Sequence, residues 1–285
     1  MKLVALMPCR NEDWVIGLSL RVVLKWANEA VVLLHSCTDD SKKIVSDIAN
    51  ENPSRVHVLE NSDLVWREME QRQQMLDYAR SIGSTHIAIT DADEVLTGNL
   101  LGSTAEQIKS LPSGGLMQTR MLCAWRSLTD YRSGNSVWSN RYDLALAFHD
   151  NPNIRWSAKN DGYDHHQRNP LGSRPAFQYS GLGGVIHLQF ANWDRLVAKH
   201  ALYKMSERVK FQSKNIESID RLYNLALDEN GLQTTKMQDE IWGPYSDLLK
   251  YIDMDKTPWQ IAECERLMKE HGKGTFEGLN LFGVV

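Results

Sequence analysis

Through its first hundred residues the chain alternates short apolar runs with segments of helical period. Residues 3–7 and 30–34 are apolar at every position, and 56–59 and 86–90 are largely so, as strands buried on both faces are. Between the first two, Ile16, Leu20, Val23 and Leu24 recur at helical spacing behind Asn11, a candidate N-cap. Ile44, Val45 and Ile48 mark a second helix, and a third spans about 67–82, stopped by Gly83. The strand starts recur at intervals of 27, 26 and 30 residues, which leaves room for a strand, a crossover helix and two loops each time. The pattern predicts an α/β fold whose mostly parallel sheet is covered by flanking helices.

After Asp91 the rhythm changes. A helix is expected over 103–111 and strands over 116–123 and 144–148. Residues 159–184 hold Gly162, Pro170, Gly172, Pro175, Gly181, Gly183 and Gly184 among charges and read as a long irregular stretch. A short strand over 184–189 follows. Helical signal then fills 192–228, 241–252 and 258–270. The organisation expected is an α/β half over 1–100, a second half of the same domain over 101–201, and a helical C-terminal extension over 202–285.

Composition narrows the class without naming it. With 32 Lys and Arg against 36 Asp and Glu, a net charge of −4 and 42% hydrophobic residues among 285, the chain is neither disordered nor fibrous. Its four cysteines form no CxxC pair, which signals neither a disulfide framework nor a Cys-based zinc site and fits a reducing cytoplasm. The opening apolar run is too short for a signal peptide or a membrane span, so a cytoplasmic protein is expected. Nothing in the sequence fixes an oligomeric state.

The densest chemistry is Asp91-Ala92-Asp93-Glu94, at the carboxyl end of the fourth strand, where open α/β sheets bind their ligands. Two carboxylates ~6 Å apart repel by roughly 3 kcal/mol at an effective dielectric constant near 20. Three acids in four residues therefore want a compensating cation, and Mn²⁺ or Mg²⁺ is the natural candidate. A solvated acidic turn is the plain alternative. The first strand runs into Pro8-Cys9-Arg10-Asn11-Glu12, which brings a guanidinium and helix-start amides to the same edge of the sheet.

Taken together, these two segments, Thr38-Asp39-Asp40-Ser41 and the helix bearing Glu70 and Arg72 resemble the GT-A glycosyltransferases of the family-two type over roughly residues 1–100. Where that family commonly carries Asp and Ser after its second strand, this chain has His35 and Cys37. The resemblance implies a nucleotide pocket lined by Pro8, Arg10 and Glu12, with Asp39 and Arg72 approaching base or diphosphate. It further implies Asp91 near the ribose and Asp93 on a metal bridging the diphosphate. Such sites often draw another metal ligand from a histidine on a late strand before a helix. His187 has that setting, and Lys199 on the following helix is a candidate phosphate partner. The acceptor hydroxyl needs a general base. Inverting relatives place it between the acidic strand end and the late histidine, which Asp161 and Asp164 both satisfy, Asp161 being preferred.

The expected activity is metal-dependent transfer of a sugar, with inversion, from a nucleotide-diphospho-sugar, UDP-linked in the first instance, to an acceptor hydroxyl. A glycan is the default acceptor. A hydroxymethylated DNA base is the minority one, because Trp125, Trp138 and Trp156 lie among Arg120, Arg126, Arg132, Arg141, Arg155 and Arg168. Two other classes stay open. A nucleotidyltransferase would want a glycine-rich basic loop after the first strand, which Pro8-Cys9-Arg10-Asn11-Glu12 lacks, and a non-catalytic carbohydrate or nucleic-acid binder would have little use for the paired aspartates.

Overall fold

The computed structural model describes residues 1–139, 141–157 and 168–285. The first third follows the sequence rhythm: β1 (Leu3–Cys9), α1 (Ile16–Trp26), β2 (Glu29–His35), α2 (Ser41–Glu51), β3 (Val56–Asn61), α3 (Glu68–Ser81) and β4 (His86–Ile89). Gly83 ends α3 at φ 82°. Its amide donates to Arg80 O and that of Ser84 to Ala79 O, a Schellman closure that satisfies the last carbonyls of the helix. Asn11 is not a helix cap. It sits at φ 55°, and Val15 and Ile16 donate instead to Glu12 O as α1 begins. The side chain of Asn11 binds Thr38 through Oδ1 at 2.7 Å and Nδ2 at 3.2 Å, lacing the turn after β1 to the turn after β2.

The remainder is β5 (Glu94–Leu96), α4 (Leu101–Lys109), β6 (Gly115–Thr119), β7 (Met121–Cys123), β8 (Asp130–Gly134), β9 (Leu144–His149), β10 (Arg174–Gln178), β11 (Val185–His187), α5 (Trp193–Lys210), α6 (Ile216–Asn224), β12 (Leu232–Lys236), α7 (Asp239–Trp242) and α8 (Trp259–His271). A seven-stranded sheet runs in the order β10-β6-β9-β4-β1-β2-β3. Strands β4, β1, β2 and β3 are mutually parallel, β9 is antiparallel to both its neighbours, and β10 is parallel to β6. Both faces of the central strands are buried, which explains their unbroken apolar sequence. Leu3, Ala5 and Met7 pack with α1 residues on one side, and Val4 and Leu6 pack with Met69, Met75 and Leu76 of α3 on the other.

Several expectations need correction. The strand expected over 116–123 breaks at Arg120, leaving β6 in the main sheet and β7 in a second, three-stranded sheet of order β5-β11-β7. The stretch expected to be irregular contains β10, an exposed edge strand that tolerates Pro175. The helix expected over 192–228 is two, α5 and α6, and 241–252 holds only the end of the four-residue α7 and short 3₁₀ turns. Helices α5 and α8 share a separate apolar cluster that includes Ala201, Met205, Cys264 and Leu267. Among the described residues no helix is long and apolar enough to cross a membrane.

Candidate active site

The order of strands in the sheet reverses at β1, with β2 and β3 added on one side and β4 on the other, so the carboxyl ends of the parallel neighbours β1 and β4 open a crevice. Residues 8–12 leave β1 on one side of it, and residues 91–94 leave β4 on the other. The small sheet then completes the crevice from far along the chain. β11 is antiparallel to β5, with His187 paired to Glu94, and parallel to β7, with His187 paired to Cys123. Leu188 N donates to Asp93 O at 2.8 Å. Gly184 makes this docking feasible. At φ 148° it lets Val185 N reach Arg120 O at 2.9 Å, and a Cβ there would run into the Arg120 carbonyl.

This scaffold brings Glu12, Asp93, His187 and Lys199 together. Asp93 is 4% exposed. Its Oδ2 lies 3.0 Å from Lys199 Nζ on α5, and its Oδ1 lies 3.5 Å from His187 Nε2. Burial alone would raise the Asp93 pKa, but the Lys199 ammonium and His187 hold it far below the carboxylate range. Lys199 moves the opposite way: burial would lower its pKa, but Asp93, with Tyr203 and Glu12 adding to it, holds the ammonium protonated well above its ordinary value. Glu12 faces the same cluster and is pushed up to about 7 by burial, with Lys199 opposing and Asp93 adding to the rise. Trp14 Nε1 donates to Glu12 Oε2 at 2.6 Å.

The other two acids of the turn are balanced by arginines. Arg72, 4% exposed, donates to Asp91 Oδ1 at 2.9 Å and to Glu68 at 2.8 Å. Arg168 makes a fork to Glu94, 2.7 Å to each oxygen, and reaches Asp91 Oδ2 at 3.2 Å. Its remaining donor positions are spent on the Ile89 and Ala145 carbonyls at 2.7 and 2.8 Å. The compensation expected from a divalent ion is thus supplied in large part by Arg72, Arg168 and Lys199. Among the described residues no group of three or more His, Cys, Asp or Glu is poised on one metal. Asp93 and His187 nonetheless offer one oxygen and one nitrogen converging from the turn after β4 and from β11. That donor pair suits Mn²⁺ or Mg²⁺, ions that keep open positions for water and phosphate oxygens.

Further around the crevice, Arg10 lies with its guanidinium carbon 5.4 Å from the centre of the Trp259 ring of α8. Its buried Nε has no partner among the described residues, and burial lowers its pKa. Pro8 is buried within β1, paired with Leu33. Asp39 spends both oxygens on the local turn, accepting from Ser41 N at 2.9 Å and Asp13 N at 3.0 Å. Asp161 and Asp164, the candidate bases, lie outside the described residues. Of the arginines grouped with tryptophans as a nucleic-acid surface, Arg168 is committed to the acidic turn and Arg132, 1% exposed, is stacked over Trp125 at 4.3 Å. Sequence reasoning missed the role of Arg168 and the approach of Trp259, because neither residue sits in a local pattern that sets it apart.

A mostly parallel α/β sheet with a buried acidic turn at its switch point defines the class. The chain belongs to glycosyl transferase family 2, whose profile it matches over residues 5–158, and its architecture is the GT-A arrangement expected from the sequence. No curated protein sequence matches it. Among solved structures it is similar to S. aureus TarS 1–349 in complex with UDP-GlcNAc, at 12% identity and a TM-score of 0.46 over 89% of this chain and 82% of that one. It is similar to the mannosyltransferase PcManGT from Pyrobaculum calidifontis in complex with GDP-Man and Mn²⁺, at 12% identity and 0.44 over 96% and 81%. A further TarS 1–349 structure, with UDP, matches at 17% identity and 0.39 over 52% of this chain and 47% of that one. The chain spans about half the length of the first TarS structures it matches, 47% and 43%.

Proposed function

We propose that the protein transfers a sugar from a nucleotide-diphospho-sugar, UDP-linked in the first instance, to an acceptor hydroxyl, with inversion at the anomeric carbon. The observation that supports this reading is the convergence of Asp93, His187 and Lys199 at the β1/β4 switch point of a family 2 chain. Breaking the sugar–phosphate bond leaves a nucleoside diphosphate, whose growing charge has to be met by preorganised cations. Lys199 is a permanent positive charge at that place, and Arg10 offers an unspent donor beside the turn that follows β1. Asp93 and His187 would hold a divalent ion, which supplies further charge neutralisation on the diphosphate when bound.

Arg72 and Arg168 act one step back. By tying down Asp91 and Glu94 they keep the acidic turn in one conformation, and Asp91 presents its partly exposed edge toward the ribose. Asp161 or Asp164 takes the acceptor proton, Asp161 being our first choice. A glycan hydroxyl is the acceptor we favour. All four cysteines are free thiols, which supports a reducing, cytoplasmic setting.

The deciding experiment is a donor screen with UDP- and GDP-sugars in Mn²⁺ or chelator, following release of the nucleoside diphosphate by mass, beside Asp93→Ala, Asp161→Asn and Asp164→Asn. Nucleotide release that needs Mn²⁺ and Asp93 is expected. Release of pyrophosphate from nucleoside triphosphates instead would identify a nucleotidyltransferase, and metal-independent release would remove the ion from the reaction.

A further inference from the structure

Two of the four thiols meet in the turns that follow β1 and β2. Cys9 closes β1 and is 1% exposed; Cys37 lies two residues beyond β2 and is half-buried. The turn that carries Cys37 is sharp, with Ser36 at φ 44°. Cys37 Sγ donates to Cys9 O at 3.5 Å and accepts from Asn11 N at 3.5 Å, which seats the Cys37 sulfur directly against the residue that bears the other thiol. We propose that Cys9 and Cys37 form a reversible disulfide that clamps these two turns and weakens nucleotide binding between them. The cross-link stands on the thiol pair alone, whereas its effect on nucleotide rests on the donor site proposed above.

The two sulfurs are unequally prepared. The hydrogen bond from the Cys9 thiol lowers the Cys37 pKa against the effect of burial, and the same contact, together with burial, raises that of Cys9. Cys37 is therefore the sulfur that a peroxide meets as thiolate. It attacks one peroxide oxygen, the O–O bond breaks, and the departing hydroxide is protonated to water. Cys9 sulfur then displaces the hydroxyl from the Cys37 sulfenic acid, its proton leaving with that hydroxyl as a second water. Two thiols and one hydrogen peroxide give one disulfide and two waters. Cys123 and Cys264 are buried, and burial pushes both up to about 12, so they stay reduced. Once bonded to Cys9, Cys37 Sγ can no longer serve the Cys9 carbonyl and Asn11 amide as it does now. The strain falls on the segment that also presents Arg10 and binds Thr38.

The test treats the full-length reduced protein with a small excess of hydrogen peroxide, then alkylates it with N-ethylmaleimide in denaturant. Two adducts instead of four are expected, together with a tryptic cross-link between residues 3–10 and 26–42 that dithiothreitol removes. Cys37→Ser and Cys37→Ala should give no such cross-link, and Cys123→Ser should still give it. By calorimetry, UDP binding to the oxidised native chain should weaken by about tenfold, the worth of one lost hydrogen bond, while peroxide leaves each Cys37 variant at its own untreated affinity. Four adducts after peroxide, or a different cysteine pair in the cross-link, would overturn the disulfide. Cross-linked protein that binds UDP as tightly as reduced protein would overturn its consequence. Reduced protein that binds neither UDP nor GDP would overturn the donor site instead, the adduct count still deciding the cross-link.

Discussion

The Lys199 ammonium stands 3.0 Å from Asp93 Oδ2, joining α5 to the turn after β4 across 106 residues of sequence. A carboxylate so deeply buried would be costly unpaired, and here it is held ionised by a lysine that is itself held protonated. The pair keeps charge available at the switch point in the absence of any ligand. It also means that an ion approaching Asp93 competes with an ammonium already in place.

Lys199→Met leaves Asp93 buried without its main partner. We expect a loss of about 3–5 kcal/mol in folding stability by denaturant titration, and recovery of most of it in Lys199→Arg. Added Mn²⁺ should raise the Tm of the methionine variant more than that of the native chain, because the ion meets no competitor there. Equal Mn²⁺ shifts in the two proteins would show that Asp93 does not take the metal.

Arg168→Lys keeps the charge and loses the fork. A lysine cannot reach both Glu94 oxygens, Asp91 and two carbonyls from one planar group. The variant should unfold at lower denaturant by about 2–4 kcal/mol, with buried acceptors left unpaired. Its KM for donor should rise if Asp91 loses its fixed orientation. An unchanged denaturation midpoint would mean that the acidic turn is held by other contacts.

Glu12 titrates near neutrality in the folded chain, raised from 4.5 to about 7. A carboxyl whose folded pKa is raised favours the native state fully below the unfolded value, and that contribution is lost as pH rises through the folded one. Glu12→Gln removes the loss while preserving an acceptor for Trp14 Nε1. Its Tm relative to the native chain should therefore climb between pH 4.5 and about 7 and level off above, by a few degrees. A difference that is flat across this range would place Glu12 in contact with water.

Gly184→Ala asks for a Cβ where the Arg120 carbonyl sits. Because this glycine seats β11 between β5 and β7, the variant should lose stability and, in the fraction that folds, bind donor more weakly through a displaced His187. Native-like donor affinity and Tm together would show that the small sheet can shift to make room.

The parallel half was legible because β1, β2 and β4 are buried on both faces and announce themselves as continuous apolar runs. The acidic turn was legible because it directly follows such a run. β10 was not, since Arg174–Gln178 is exposed along its length and carries a proline, and β5 is too short to show any period. Asn11 misled because an asparagine before a helical pattern suits a cap and a left-handed turn equally well. Lys199 and His187 could be picked out through the family resemblance and their place before and on a helix. Arg168 could not, because its partners Asp91 and Glu94 lie 77 and 74 residues earlier and a lone arginine carries no mark of burial.

The part of the chain that matches its family ends at residue 158, yet Arg168, His187 and Lys199, which complete the charged cluster, all come later. The first half therefore does not by itself set the electrostatics of the crevice, since these countercharges are drawn from outside the matched span. Replacing the region after 158 would therefore strip Asp91, Asp93 and Glu94 of Arg168, His187 and Lys199 while leaving β1 to β4 unchanged.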